Sequence, residues 1–295
     1  MEALPWRGPG PGRPTGIPLP PERMPIRFAG GNRKRWRYLG AYSEELMLCA
    51  ARVQVGPLGQ TFWAFWDRAD RKLHERTVIR LPGSRGQVWT EDANGRRVDR
   101  APQEGSLVRV EARDVSATLR VGAGAWVESV CPNGEGAYVW TRKRAPVRVR
   151  HDVRLGARRL EGEGLGIEDE SAGYHPRHTV WSWSAGVGTL GDGRAVGWNL
   201  VEGVNDPPER SERAIWVDGE PFEPGPVRFD GLEAIAFDDG ARLSFDAEAA
   251  RTASENRWLV RYSYRQPFGT FRGTLPGGLD VTDGLGVMEH HDALW

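Results

Sequence analysis

Short runs of alternating apolar and polar residues recur along most of this chain, and glycine-rich turns separate them. The clearest run is HTVWSWSAG at 178–186, followed by GDG at 191–193 and a second alternating run through Trp198. Alternation with a period of two sends successive side chains to opposite faces of a strand, and glycine accepts the positive φ of tight turns. These runs therefore predict a β-hairpin with an aromatic face.

Comparable runs lie at 46–55, 106–112, 213–217 and 270–275, and the chain contains 38 glycines. Strands this numerous must close into barrels or stack into a sandwich to protect their edges. The sequence therefore predicts an all-β fold. A single helix is expected at 246–253, where Asp246 could cap the alanine-rich segment that follows.

The chain of 295 residues is long enough for two domains. Residues 1–25 are rich in proline and glycine, which leaves few backbone donors, and they are expected to form a disordered arm. The segment at 150–168 is glycine-rich and highly charged, and is interpreted as a domain boundary. Two barrel-like domains are expected at 26–160 and 161–295. The first half is basic and the second acidic, so we expect the halves to pack together.

Several classes of protein are disfavoured. We expect no membrane span, because no window approaches eighteen consecutive apolar residues. The N-terminus lacks the apolar stretch of a signal peptide, and the two cysteines are expected to be reduced, so the predicted location is cytoplasmic. We expect no nucleic-acid partner, because most arginines alternate along strands as on a solvated sheet face. The oligomeric state stays open.

Four long motifs carry a resemblance to a known family. They are EDESAGYHPRHTVWSWSAGVG at 168–188, GWNLVEGVNDPPERSERAIWVDG at 197–219, YRQPFGTFRGTLPGG at 264–278 and GVMEHHDALW at 286–295. These motifs resemble the domain-of-unknown-function 2804 family, which occurs in actinobacteria and other bacteria. More distantly, the chain is similar to two-domain lipocalin-like proteins such as carotenoid hydratases and tocopherol cyclase.

The resemblance implies two packed lipocalin-like β-barrel domains, with a hydrophobic small molecule bound near their interface. No cofactor is implied. No catalytic residue is carried over, because no hydratase motif aligns with this sequence. Fold analogy by itself is a weak argument for function.

The motifs supply residues for acid-base chemistry. A carboxyl in apolar surroundings keeps its proton, histidines relay protons near neutral pH, and tyrosines add hydroxyl donors. The candidate catalytic residues are Glu289, His178, Glu170, Asp169, His175 and Tyr264. Each also has an ordinary structural interpretation, such as a turn contact or an ion pair.

The same motifs supply an aromatic and polar lining for a ligand. The candidate ligand-binding residues are Trp181, Trp183, Trp198, Asn199, Tyr174, Tyr262, Gln266, Phe268, His290 and His291. Glu289 and His291 should share one face of a strand, with His290 on the other face. No metal ligand is assigned, although the histidines and Glu289 offer suitable atoms.

Three functions stay open at this point. The sequence favours a lipocalin-like protein that binds a hydrophobic small molecule, a lipid or terpenoid, in an aromatic-lined cavity. The first alternative is a cofactor-free hydratase, isomerase or cyclase that uses a buried carboxyl as general acid. The second is a metal-dependent enzyme that uses the histidines and Glu289.

Overall fold

The computed structural model describes residues 4–8, 12–80, 86–134, 136–257 and 260–294. These residues form strands, turns and loops but no helix, so the predicted all-β class is confirmed. No helix suited to crossing a membrane is found in this part of the chain. The strands form two large antiparallel sheets and one small two-stranded sheet.

The first sheet has twelve strands. They are β1 (Trp6–Gly8), β4 (Lys34–Tyr42), β5 (Leu46–Val55), β6 (Leu58–Asp67), β7 (Lys72–Arg80), β8 (Val88–Glu91), β9 (Arg97–Val98), β10 (Ser106–Glu111), β11 (Val115–Val121), β12 (Val127–Pro132), β13 (Tyr138–Leu155) and β14 (Arg158–Gly173). The small sheet consists of β2 (Arg27–Phe28) and β3 (Gly31–Asn32).

The second sheet has nine strands. They are β15 (His178–Thr189), β16 (Ala195–Glu202), β17 (Ala214–Val217), β18 (Glu220–Phe222), β19 (Val227–Asp230), β20 (Ala234–Phe237), β21 (Arg242–Arg257), β22 (Val260–Leu275) and β23 (Leu279–Leu294). The predicted hairpin is β15–β16, and its turn uses Gly193 at φ 89°.

Each large sheet curls around a core of its own, and a third core lies between them. The core within the first sheet includes Leu39, Leu48, Phe65, Val110 and Val149. The core within the second includes Trp198, Ile215, Phe245, Phe271 and Met288. The core between the sheets includes Tyr42, Met47, Trp183, Trp216 and Phe268. Alternate residues of one strand therefore contribute to different cores. The core between the two sheets contains aromatic residues of the candidate site.

Two charged tripeptides face each other across β13 and β14. In the register of this pair, Arg142 lies opposite Glu170, Lys143 opposite Asp169 and Arg144 opposite Glu168. We call these six residues the charge ladder. All six side chains are buried, so each charge has lost its water and depends on its partner.

The contacts within the charge ladder are short. Arg144 Nε donates to Glu168 Oε2 at 2.6 Å, and Arg37 of the adjacent strand β4 donates to Glu168 Oε1 at 2.7 Å. Arg142 Nε donates to Glu170 Oε2 at 2.8 Å. The carboxylates thus join β13, β14 and β4 through charge-assisted hydrogen bonds.

The change of sheet occurs between Gly173 and His178, so the boundary predicted at 150–168 is wrong. The glycine-rich charged segment is β14 itself, and its turn from β13 uses Gly156 at φ 63°. Its charges are split: Glu161 and Glu163 lie in the exposed end of the hairpin, whereas Glu168 is buried against arginines. The charge of β14 is typical of a linker only when β14 is considered alone, because the cations that pair with its buried carboxylates lie in β13 and β4.

The prediction of a disordered arm at 1–25 is wrong for the described part, 4–8 and 12–25. Residues of β1 pair with β12, and Leu19 and Met24 are buried at 1% and 3% exposure. Arg13 forms a 2.9 Å ion pair with Glu128. The arm is extended, as proline favours, but it covers aromatic residues of the first sheet and is held there by apolar contacts.

The predicted helix at 246–253 is also wrong, because this segment lies within β21 and pairs with β22. The register shifts by one residue between Ala247 and Ala249, which is the mark of a β-bulge. Pairing with β22 along this segment outweighs the helix propensity of alanine, which is a weak preference.

Replacing Glu168 by Gln should destabilise the protein by about 3 to 5 kcal/mol, because Arg144 and Arg37 would then be buried without a compensating charge. Urea unfolding measures this. A matched control is Glu163→Gln, which removes an exposed carboxylate that pairs with Arg148 and Arg150 at the far end of the same strand. The control should change the unfolding midpoint little; equal effects would contradict the structural role of the charge ladder.

Candidate functional site

Aromatic and polar side chains from both sheets converge between them. We call this region the inter-sheet site and define it by Trp36, Tyr38, Cys49, Phe62, Trp181, Trp183, Tyr264, Gln266, Glu289 and His291. Its inner residues Tyr38, Cys49 and Trp183 are buried, whereas rim residues such as Trp181 and His291 are half-buried. The site therefore has one side that reaches the surface.

Glu289 lies at the centre of this site. It is opposite Trp183 in the pairing of β15 with β23 and is 8% exposed. The indole Nε1 of Trp181 donates to its Oε1 at 2.8 Å, and Nε2 of Gln266 donates to its Oε2 at 2.8 Å. Burial raises the pKa of Glu289 to about 7, against the opposing effect of these hydrogen bonds and of the Arg251 charge. The carboxyl can therefore hold a proton near neutral pH.

A buried arginine lies beside Glu289 but is occupied by other groups. Nη1 of Arg251 donates to the Tyr264 hydroxyl at 2.9 Å, and its Nε is 3.2 Å from Glu75 Oε2. Its guanidinium also lies 4.2 Å from the ring centre of Phe62. Burial raises the pKa of Tyr264, so this residue remains a phenol. Arg251 thus anchors the tyrosine and shares its charge with Glu75.

The rings of the site stack closely. His291 lies 4.2 Å from Trp181 and 5.4 Å from Tyr264 between ring centres, and Tyr38 meets Trp183 edge to face at 5.4 Å. Burial, together with the neighbouring His290, lowers the pKa of His291 to about 3. The ring is therefore a neutral imidazole, which stacks on indole without the cost of burying a charge.

Two further nitrogen groups lie beside Trp36. Lys34 is 4% exposed, and its Nζ donates to the Pro176 carbonyl at 3.3 Å. The His175 ring lies 5.1 Å from the ring of Trp36. Burial lowers the pKa of Lys34 to about 7, and burial with the Lys34 charge lowers that of His175 to about 3. His175 is therefore neutral at physiological pH, whereas Lys34 is near the midpoint of its titration.

Sequence reasoning missed Lys34, Tyr38 and Arg251 as residues of this region. Lys34 and Tyr38 belong to the basic segment NRKRWRY at 32–38, whose aromatic residues among basic ones are typical of single-strand nucleic-acid binders rather than of a buried site. Alternation along the chain could have identified them, because Lys34, Trp36 and Tyr38 occupy alternate positions and so share one face of β4. No comparable signal marks Arg251, which lies in the segment predicted to be helical.

The structure brings together many of the predicted residues. Glu289, Tyr264, Trp181, Trp183, Gln266 and His291 meet in the inter-sheet site, and His175 lies at its Trp36 end. Phe268 is buried in the same inter-sheet core. Asn199 accepts a 2.8 Å hydrogen bond from Trp183 Nε1, and Tyr262 lies 6.3 Å from His291 between ring centres.

Other predicted residues lie elsewhere. His178 is exposed, with Nε2 2.8 Å from Asp292, because it starts β15 opposite Leu294, well beyond Glu289. His290 points to the outer face and contacts Ser182 at 3.2 Å, as the alternation of β23 predicts. His178 and Glu289, both candidate catalytic residues, therefore do not lie in one site.

Two aromatic candidates belong to other cores. Trp198 packs inside the second sheet, edge to face with Phe271 at 5.0 Å, because it lies opposite Gly186 and so faces away from Trp183. Tyr174 packs with Tyr138 beneath the N-terminal arm and donates to the Pro25 carbonyl at 2.8 Å. Neither reaches the inter-sheet site.

The carboxyls of Asp169 and Glu170 belong to the charge ladder and are bound by cations. Lys143 Nζ lies 2.7 Å from Asp169 Oδ1 and 3.3 Å from Glu212 Oε1. Burial alone would raise the pKa of Glu170, but Arg142 and Arg37 hold it below its ordinary value. These two residues are not placed as proton donors.

The metal alternative receives no support from the geometry. Glu289 and His291 share a face, but His178 and His290 point away from them. Within the described part of the chain, no group of three or more His, Cys, Asp or Glu side chains is arranged to hold a metal ion.

Comparisons with solved structures identify the fold. A protein assigned as AttH from Nitrosomonas europaea matches with 14% identity and a TM-score of 0.50, covering 93% of this chain and 98% of that one. Kievitone hydratase from Nectria haematococca matches with 9% identity and a TM-score of 0.54, covering 90% of both chains. At these identities the likeness is one of fold, and it shows the lipocalin-like two-domain architecture.

No curated protein sequence matches this chain significantly. A family profile does, over residues 22–295, and its description is domain of unknown function, DUF2804. The match includes all four motifs noted above and almost the whole of both sheets. The chain belongs to the DUF2804 family.

Proposed function

We propose that this protein binds a hydrophobic small molecule in the inter-sheet site and that Glu289 protonates it as a general acid, without a cofactor. One observation carries the proposal: a buried carboxyl, held by two neutral donors among aromatic rings, has its pKa raised to about 7. General acids work best when their pKa lies near the working pH. A carboxyl neutralised by a cation would not retain its proton in this range.

The surrounding residues favour an uncharged ligand. Burial is the largest cause of the pKa shifts of Lys34, His175, His291 and Cys49, and it favours the neutral form of each. A region whose burial shifts the pKa of four different ionisable groups towards their neutral forms is poorly solvated. Such a region binds apolar surface well and binds an unpaired ion poorly.

The reaction class follows from what Glu289 and the rings offer. The carboxyl proton is transferred to one carbon of a ligand double bond, and the positive charge that develops on the other carbon lies among the rings of Trp181, Trp183 and Tyr38. Addition of water or loss of a neighbouring proton would discharge the cation, either directly or after attack by a second double bond has closed a ring and moved the charge to another carbon. In each case one proton returns to the carboxylate, so the enzyme is regenerated.

Hydration, isomerisation and cyclisation are therefore the candidate outcomes. The name of kievitone hydratase records hydration by a protein of this fold. Because that likeness is one of fold alone, the proposal rests on Glu289 and its surroundings. Binding without turnover is the rival function, and the second experiment below distinguishes it.

The pH dependence of stability tests the state of Glu289. Its folded pKa of about 7 exceeds the ordinary value of 4.5, so the unfolded chain loses this proton first as pH rises. The stabilising contribution is fully present below about pH 4.5 and is lost as pH rises through 7. Relative to Glu289→Gln, the wild type should lose up to about 3 kcal/mol between these limits. Urea unfolding at several pH values measures the difference.

Glu248→Gln is the matched control. Glu248 also accepts an indole hydrogen bond, from Trp66 at 2.8 Å, but Arg68 pairs with it at 2.7 Å. Burial alone would raise its pKa, and these partners lower it instead. The difference in unfolding free energy between wild type and Glu248→Gln should have the opposite pH dependence, because the contribution of Glu248 is lost as pH falls. If the difference in unfolding free energy between wild type and Glu289→Gln does not change with pH, the carboxyl of Glu289 is not protonated in the folded protein.

Turnover is tested with a neutral lipid extract of the producing organism in deuterated water. The wild type should convert at least one extract component to a product that carries deuterium on carbon or added water, as mass spectrometry detects. Glu289→Gln should lower the rate by about 10² to 10⁴, and Glu248→Gln should not. Native mass spectrometry of both variants checks that the same component still binds. A component that binds the wild type and is never altered would indicate a binding protein.

A further inference from the structure

A second recess lies at one end of the first sheet, apart from Glu289. Its volume is about 620 Å³, which is the size of a small-molecule site. The starts of β4 and β6, the ends of β5, β7 and β14, and the loop that follows β9 surround it, and residues 20–24 of the N-terminal arm form one wall. We call it the arginine cavity.

The lining of this cavity is strongly basic. It contains seven arginines against three acidic residues, a formal net charge of +4. The carboxylates present are shared: Asp99 pairs with Arg35 at 3.0 Å and with Arg52 at 3.2 Å. Such sharing leaves positive charge uncompensated.

Glu170 is shared more widely still. It lies within 3.7 Å of Arg37, 3.7 Å of Arg100 and 2.8 Å of Arg142. One carboxylate thus serves three guanidinium groups. Arginines brought together this closely repel one another unless an anion is added.

Arg37 supplies the independent sign of a missing partner. Its side chain is 7% exposed, and Nη2 donates to Glu168 at 2.7 Å and to Ser106 at 3.1 Å. Within the described part of the chain, Nε and Nη1 make no hydrogen bond, and Nε has only the 3.7 Å ion pair with Glu170. Arg37 also lines the cavity. An unmatched buried donor is costly, and an anion bound beside Arg37 in the cavity would offset the charge of this guanidinium.

We propose that the arginine cavity is a binding site for the diphosphate group of a small molecule. Guanidinium forks match phosphate oxygens in pairs, and a diphosphate concentrates several negative charges in a volume that several arginines can surround. The recess is closed on one side by the arm, so it suits a small molecule or a terminal group. This proposal is independent of the function assigned to Glu289.

Isothermal titration calorimetry with inorganic pyrophosphate tests the proposal on the full chain. We expect one pyrophosphate per chain, with affinity that falls as salt rises. Arg100→Gln and Arg52→Gln should each weaken binding about tenfold, since each removes a charged donor. The matched control is Arg148→Gln, which removes an exposed arginine of β13 that does not line the cavity and should leave binding unchanged.

Asp99→Asn keeps the test decisive if an arginine variant is unstable. Asp99 is 62% exposed, so folding should tolerate the change, and its loss frees Arg35 and Arg52. Binding should tighten severalfold, whereas a merely structural Asp99 would lower the melting temperature without this gain. A simple alkyl diphosphate in place of pyrophosphate shows whether the site prefers the free anion or an ester; binding of either supports the proposal.

Three results would overturn the assignment. The first is no heat of binding with millimolar pyrophosphate or alkyl diphosphate. The second is equal weakening by Arg148→Gln and Arg100→Gln, which would indicate nonspecific attraction. The third is binding of citrate in preference to pyrophosphate, which would replace the phosphate assignment by a polycarboxylate.

Discussion

The charge ladder of β13 and β14 is the interaction on which both sites depend. Burying six charges is unfavourable unless every charge has a partner at short range, and here the partners arise directly from strand register. Shifting the pairing of β13 and β14 by one residue would move every partner to the opposite face of the sheet. The ladder therefore specifies the register of the long central hairpin. Through Arg37, it fixes the position of β4 as well.

Each face of the ladder then serves one site. Glu168 and Glu170 point into the first sheet, where Glu170 helps to line the arginine cavity. Asp169 points the other way and lies opposite Tyr38 in the pairing of β14 with β4. The same register thus places an aromatic ring of the inter-sheet site. Sheet parity explains how one short acidic segment supports two different chemical environments.

The sequence predicted the features that depend on local alternation. The tryptophan hairpin, the all-β class and the shared face of Glu289 and His291 all follow from a period of two. The boundary failed because the acidic segment EDE is neutralised by RKR, which lies in the preceding strand and is recognisable only once the register is known. The arm and the alanine-rich strand failed because tertiary contacts outweigh composition and propensity. Which of the buried cores a tryptophan enters, including the one beneath the N-terminal arm, is likewise decided by pairing.

Three buried carboxyls show why the site itself could not be read from sequence. Asp169, Glu170 and Glu289 are each nearly inaccessible to solvent, and their residue types gave equal claims to acid-base chemistry. Their partners separate them: an ammonium lies 2.7 Å from Asp169, guanidinium groups bind Glu170, and only neutral donors bind Glu289. Burial favours the protonated form, and a bound cation reverses that preference. Of these three carboxyls, Glu289 is therefore the one whose surroundings favour the protonated form near neutral pH.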